Sequence, residues 1–175
     1  MALTLEQKKA VVAEVSDVAA DALSAVVAEY RGMTVDQLTD MRQKARSGGV
    51  VLKVVKNTLV RRAVAGTELE CMADQLTGPL LYAFSMEDPG SAARLMKDFS
   101  KEAEHLNVKL IAMSGQVYGA GDLDRFASLP NREQALAMLL GVMKAPVEKF
   151  VRTLAEPHTK MVRTVAAIKE SKEAA

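Results

Sequence analysis

The chain has 175 residues, 49% of them hydrophobic, and a formal net charge of +1, so it can bury a core of its own and is not a disordered chain. One cysteine, Cys71, excludes an internal disulfide and a multi-cysteine zinc site and is expected as a small buried hydrophobe. No 18 apolar residues run together, and MALTLEQKKAVV lacks the basic start and apolar run of a secretory signal, which together predict a soluble, intracellular protein of a reducing compartment.

Thr4 with Gln7 has the spacing of a capping box, and Val11, Val15, Val18 and Ala22 recur at helical spacing, predicting a helix over about 5–20. Ser24 to Tyr30 is apolar and β-branched enough for a strand that Gly32 ends. Thr34 with Gln37 is a second capping box, with Met33 placed to staple against Leu38, and its helix runs from about 35 to 46 before Gly48-Gly49. Val50 to Val55 reads as the next strand, Asn57 as an N-cap and Gly66 as a stop. A short helix from Thr67, a strand over Leu80 to Ser85 and a helix opened by Asp88-Pro89 and running to about Glu104 follow. Val108 to Met113 and Gln116 to Tyr118 complete the strands.

Helices alternating with strands predict an α/β sandwich with βαβ units and a mixed sheet of four or five strands over residues 1–121. Residues 122–130 read as a hinge with a short helix. From Asn131 some forty residues lack any strand signal and form no second core, so 131–175 is expected to be an extended helical arm. Pro146 to Glu156, PVEKFVRTLAE, and Pro157 to Ala167, PHTKMVRTVAA, repeat at an offset of 11 residues, which is about three helical turns or about 16 Å along one face. Val147, Phe150, Val151 and Leu154 form an apolar stripe in the first unit; Met161, Val162 and Val165 repeat it, with His158 in the place of Val147. Ala135 to Ala145 fits the frame loosely through Leu139, Leu140 and Met143. The two prolines predict a series of helical segments with kinks. The repeat predicts copies of one docking site, and seven Lys or Arg against four acids over 144–173 favour an acidic partner.

The motifs of catalysis are missing: there is no GxxxxGK, GxGxxG or HExxH. His105 and His158 are isolated, His105 reading as a surface group near a helix end. Asp122 and Asp124 beside Gly121 read as helix-start acids. No metal or cofactor is expected. Between Asp40 and Glu68, by contrast, stand seven Lys or Arg and no acid, a local excess whose natural partner is phosphate. Lys56 and Asn57 open a helix, Arg61 and Arg62 follow a turn on, and Lys53 interrupts an apolar strand. No aromatic residue lies between Met33 and Thr77, so contact with the backbone and shape of folded RNA is expected rather than base stacking. A tail that binds membranes or forms a coiled coil is the competing reading of the arm. An 11-residue frame with prolines, no sustained heptads and no Trp argue against it.

RGMTVDQLTDMRQKAR, VVLKVVKNTLVRRAV, GPLLYAFSMEDPGSAARLMKDF and the closing VRTVAAIKESKEAA resemble the bacterial large-subunit ribosomal stalk-base family, the tenth protein of that subunit, over essentially the whole chain. The resemblance implies an N-terminal domain that binds large-subunit ribosomal RNA beside the neighbouring stalk-base protein. It also implies a C-terminal helix that carries dimers of the acidic stalk protein, through which translation GTPases are recruited, and repression of the protein's own messenger RNA. Carried over onto this sequence, the RNA-facing positions are Arg31, Gly32, Lys53, Lys56, Asn57, Arg61 and Arg62. Two clear repeat units and a loose third imply two or three dimers, bound through the ten apolar arm residues named above from Leu139 to Val165.

Overall fold

The computed structural model describes residues 4–103 and 106–173; His105 and Glu104, the expected end of the helix before it, lie outside them. Residues 1–131 form one compact unit and 132–175 a second. In chain order the first unit contains α1 (Leu5–Asp21), β1 (Ser24–Glu29), α2 (Val35–Ser47), β2 (Val50–Lys53), α3 (Asn57–Ala63) and a 3₁₀ segment (Glu68–Gln75). It continues through β3 (Leu80–Ser85), α4 (Ser91–Glu102), β4 (Asn107–Met113), β5 (Gln116–Gly119) and α5 (Leu123–Ala127). Both capping boxes form: the Thr4 hydroxyl accepts from the Gln7 N–H while the Gln7 side chain accepts from the Thr4 N–H at 3.0 Å, and Thr34 and Gln37 repeat the exchange.

The strands lie in the order β2-β3-β1-β4-β5, and every pairing among the described residues is antiparallel. β1 and β2 therefore run parallel with β3 between them, and β3 and β4 run parallel with β1 between them. α2 and α4 complete two split βαβ units. The expected mixed sheet is corrected accordingly. A helix between two strands signals a parallel crossover, but nothing local to the crossover reveals that a third strand will enter the gap.

Alternation along the strands sends apolar side chains to both faces. Ala25, Val27, Leu80, Tyr82, Phe84, Leu110 and Ala112 pack with α1, α3 and the 3₁₀ segment. Val26, Ala28, Leu81, Ala83 and Ile111 pack with α2, α4 and α5. The unit is thus a three-layer sandwich. Among the described residues its buried polar side chains, Ser24 and Ser85, both serve the β3–α4 turn: Ser24 donates to the Pro89 carbonyl at 2.7 Å, and Ser85 accepts from the Ala92 N–H at 3.1 Å.

Several boundaries differ from expectation for local reasons. β2 stops at Lys53, and Lys56 rather than Asn57 is the N-cap of α3. α4 starts at Ser91 behind Gly90, because Asp88 and Pro89 are used in the turn to which Ser24 is tied. The stretch 122–130, expected as a hinge with a short helix, carries that helix as α5, and its Phe126 is buried in the core on the α4 side. The second unit is one helix, α6 (Arg132–Glu173), about 63 Å long, and neither Pro146 nor Pro157 divides it into separate segments.

Gly90 is where α5 meets α4. A Cβ built there lies 2.8 Å from the Phe126 carbonyl oxygen, which is backbone and cannot swing aside. Gly90→Ala should lower stability by about 1–3 kcal/mol. A reduced urea midpoint with an unchanged slope checks this; an unchanged midpoint contradicts the packing described.

Candidate nucleic-acid interface and partner-binding arm

Register gathers Arg31, Gly32, Lys53, Lys56 and Asn57 of the expected RNA-facing residues at one end of the sheet. Glu29 at the end of β1 pairs with Leu80 at the start of β3, and Lys53 at the end of β2 pairs with Tyr82. The β1 turn, the β2–α3 link and Gly78-Pro79 therefore converge. There Tyr30, Val54, Lys56, Thr58, Gly78 and Pro79 line an open groove of about 500 Å3. Gly32 has a φ of 97°, a left-handed conformation that glycine adopts without strain, and its turn closes with the Met33 N–H donating to the Tyr30 carbonyl at 3.2 Å. Arg31 and Lys56 are exposed, and neither makes an ion pair among the described residues.

The other sequence-predicted residues are not equivalent. Asn57 is turned inward: its amide N–H donates to the Gly78 carbonyl at 2.9 Å and the Leu76 carbonyl at 3.4 Å, and its Oδ1 accepts from the Tyr82 hydroxyl at 2.9 Å. The Arg61 Nε donates to the Ala73 carbonyl at 3.0 Å and Nη2 to the Leu76 carbonyl at 2.9 Å, which satisfies the last turn of the 3₁₀ segment. Lys53 pairs with Glu14 of α1. Asn57, Arg61 and Lys53 thus hold α3 and its surroundings in place, whereas Arg31, Lys56 and Arg62 present exposed charge. Only seven residues long, α3 adds little of its own dipole to such a surface.

Two readings from the linear sequence change in three dimensions. The acid-free run of seven cations is not one patch, because Arg42, Lys44 and Arg46 belong to α2 on the opposite face of the sheet from α3. Lys44 lies over the Phe99 ring, 4.5 Å from its centroid. The aromatic gap between Met33 and Thr77 is also not a gap in space, since Tyr30, just ahead of it, lines the groove beside Lys56. A further positioning residue escaped the sequence reading. The β1–β4 register skips Lys109, whose ammonium donates to Glu29 at 3.1 Å and to the Thr77 carbonyl at 2.8 Å, fixing the loop before Gly78.

In α6 no residue is buried. The stripe residues Leu139, Leu140, Met143, Val147, Phe150, Val151, Leu154, Met161, Val162 and Val165 are all 56–70% exposed, an apolar face with nothing of its own unit against it. Leu136, which the sequence reading passed over, is 52% exposed and stands 11 residues before Val147, so the 135–145 unit is complete at all four stripe positions. Lys144–Glu148 and Lys169–Glu173 pair along the helix. Lys149, Arg152, Lys160 and Arg163 make no ion pair among the described residues and, at about 100° per residue, fall on the side away from the stripe, where they act at long range rather than in contact.

The remaining candidates are accounted for locally. Asp122 accepts from Arg125 at 3.1 Å and Asp124 pairs with Lys97 at 2.9 Å. Burial pushes the Cys71 thiol up, and it donates weakly to the Glu68 carbonyl at 3.7 Å. Among the described residues no cluster of His, Cys, Asp or Glu could hold a metal ion, and no helix is long and apolar enough to cross a membrane.

Residues 3–101 match the family model described as ribosomal protein L10, and residues 129–155 match that of the ribosomal protein uL10 C-terminal region. The chain is 62% identical over 175 residues, all of both chains, to the large ribosomal subunit protein uL10 of Alkalilimnicola ehrlichii. It is 58% identical to those of Thioalkalivibrio sulfidiphilus, over 99% of each chain, and Alcanivorax borkumensis, over 100% of this chain and 99% of the other.

The Tyr82–Asn57 contact supplies a pH test. Burial pushes the Tyr82 hydroxyl up to about 12, Arg61 opposing in smaller measure, so above pH ~10 the unfolded chain ionises while the folded one stays neutral. The stability this group contributes is complete below pH ~10 and is lost as pH rises toward 12. Tyr82→Phe should cost about 1 kcal/mol at pH 8, by leaving Asn57 Oδ1 short of a donor, and should flatten the alkaline loss in urea melts from pH 8 to 11. Identical alkaline slopes in both proteins would contradict the assignment.

Proposed function

The chain belongs to the ribosomal protein L10 family and is a structural, non-catalytic protein of the large ribosomal subunit, working in translation on the cytoplasmic ribosome; from that premise we propose that it is a two-ended adaptor at the base of the stalk. Its α/β unit binds large-subunit ribosomal RNA through Arg31 and Lys56 at the end of the sheet and through Arg62 on α3, beside the neighbouring stalk-base protein. Its arm holds dimers of the acidic stalk protein, which in turn engage translation GTPases. The RNA-binding face also serves in repression of its own messenger RNA.

One observation carries this reading: α6 has no buried residue, yet its apolar residues repeat every 11 positions. An exposed apolar stripe of that length is an aggregation hazard unless a partner covers it, and a repeated stripe calls for repeated partners. The helix-in-groove mode fits, with anchors at i, i+3, i+4 and i+7 in each unit. Units 135–145, 146–156 and 157–167 give two or three dimers, with His158 in the place of Val147 in the last. On the RNA side, the support is exposed unpaired cations beside a groove whose walls are fixed by Asn57, Arg61 and Lys109.

Deleting 157–167 removes about three whole turns and leaves the rest of the helix in phase. Native mass spectrometry of the full chain saturated with stalk-protein dimers should then show one dimer fewer than the undeleted chain. A count unchanged by the deletion, or a single dimer on the undeleted chain, would sink the one-unit, one-dimer reading.

A further inference from the structure

α1 and α3 pack side by side on one face of the sheet, and where they meet Lys8, Lys9 and Arg62 line a groove of about 420 Å3 together with Leu5, Val12 and Leu59. None of the residues lining this groove is acidic. Lys8, Lys9 and Arg62 are exposed, and none makes an ion pair among the described residues. The neighbouring arginines of α3 thus diverge: Arg61 is spent on the carbonyls of Ala73 and Leu76, while Arg62 turns to α1.

The charges of α1 are sorted in the same sense. At about 100° per residue, Glu6, Glu14, Asp17 and Asp21 fall within an arc of about 80°, and Lys8 and Lys9 fall on the other flank, with the core-facing stripe of Val11, Val15 and Val18 between the two on one side. Glu14, on the acidic flank, pairs with Lys53. The helix therefore places no carboxylate among the groove-lining residues and brings two ammonium groups to the Arg62 side.

We infer that this α1–α3 groove is a second phosphate-binding surface, which takes the sugar-phosphate backbone of an RNA strand through Lys8, Lys9 and Arg62. Charge complementarity selects the occupant: three cations converge with no carboxylate among them, and a protein surface would need a matching cluster of acids, whereas any RNA backbone supplies regular negative charge. The apolar floor from Leu5, Val12 and Leu59 offers contact area to ribose rather than a polar code for bases. The inference rests on the RNA-binding reading of the α/β unit and extends it from the end of the sheet to the N-terminal helix, which neither charge density nor resemblance singled out in the sequence.

The test measures binding of the full chain to protein-free large-subunit ribosomal RNA as salt is varied. The variants are Lys8→Ala/Lys9→Ala, Arg31→Ala/Lys56→Ala, and Arg42→Ala/Lys101→Ala as a charge-matched change on the α2 and α4 face. Lys8 and Lys9 are exposed and make no ion pair among the described residues, so their removal leaves the core untouched. The inference expects Lys8→Ala/Lys9→Ala to weaken binding about tenfold and to reduce the salt slope by roughly one to two, while Arg42→Ala/Lys101→Ala binds as the parent does. Equal losses in those two variants would mean that only net charge matters and would overturn it. So would parental affinity and slope in Lys8→Ala/Lys9→Ala while Arg31→Ala/Lys56→Ala is weakened, an outcome that leaves the RNA-binding reading standing. If the parent chain fails to bind this RNA at all, both fall.

Discussion

The side-chain amide of Asn57 is the joint on which the α/β unit turns. It connects the first residue of α3 to the Tyr82 hydroxyl of a central strand and to the carbonyls of Leu76 and Gly78 in the link that leads into that strand. Three elements distant in sequence are thereby held at one end of the sheet. Each bond contributes about 1 kcal/mol net, but losing the amide would strand the hydroxyl of the buried Tyr82, and such an unpaired group costs more than the bond gains. Arg61 and Lys109 brace the same link from either side. With the joint made, Lys56 and Arg62 stand at fixed positions around α3 without being needed for the packing.

This division between cations that build and cations that are presented also explains how a chain of net charge +1 can offer a polyanion a usable surface. Lys53, Lys97, Lys109 and Arg125 are each matched to a carboxylate. Exposed pairs of this kind add little stability, and their effect is mainly to remove those charges from the field. Within the α1–α3 groove itself, what stays unpaired among the described residues is cationic. The arm is organised on the opposite principle: its charges lie away from the face that repeats, and its repeating face is apolar.

Much of the fold was legible because local signals were strong. Thr4–Gln7 and Thr34–Gln37 marked two helix starts, alternating apolar runs marked the strands, and the 11-residue frame marked the arm. The split order of the strands was not legible, since pairing depends on contacts made across the whole chain. The candidate site was half legible. KNTLVRR announced a basic helix, but nothing local tells which of two adjacent arginines will meet the carbonyls of a 3₁₀ segment 12–15 residues later, or that Asn57 will face inward. Charge density along the chain misled, because α2 and α3 contribute to one run of sequence and to opposite faces of the sheet. Leu136 was missed because the first arm unit is apolar at so many positions that the stripe does not stand out.

The account assigns RNA to one face of the α/β unit and protein to the arm, so the decisive observation is where RNA covers the full chain. Hydrogen–deuterium exchange with and without protein-free large-subunit ribosomal RNA measures this residue by residue. The account predicts slower exchange in the first turns of α1, in α3 and in the turn at Arg31 and Gly32, with α6 and the α2 and α4 face unchanged. Protection confined to α6 or to the α2 and α4 face would contradict it.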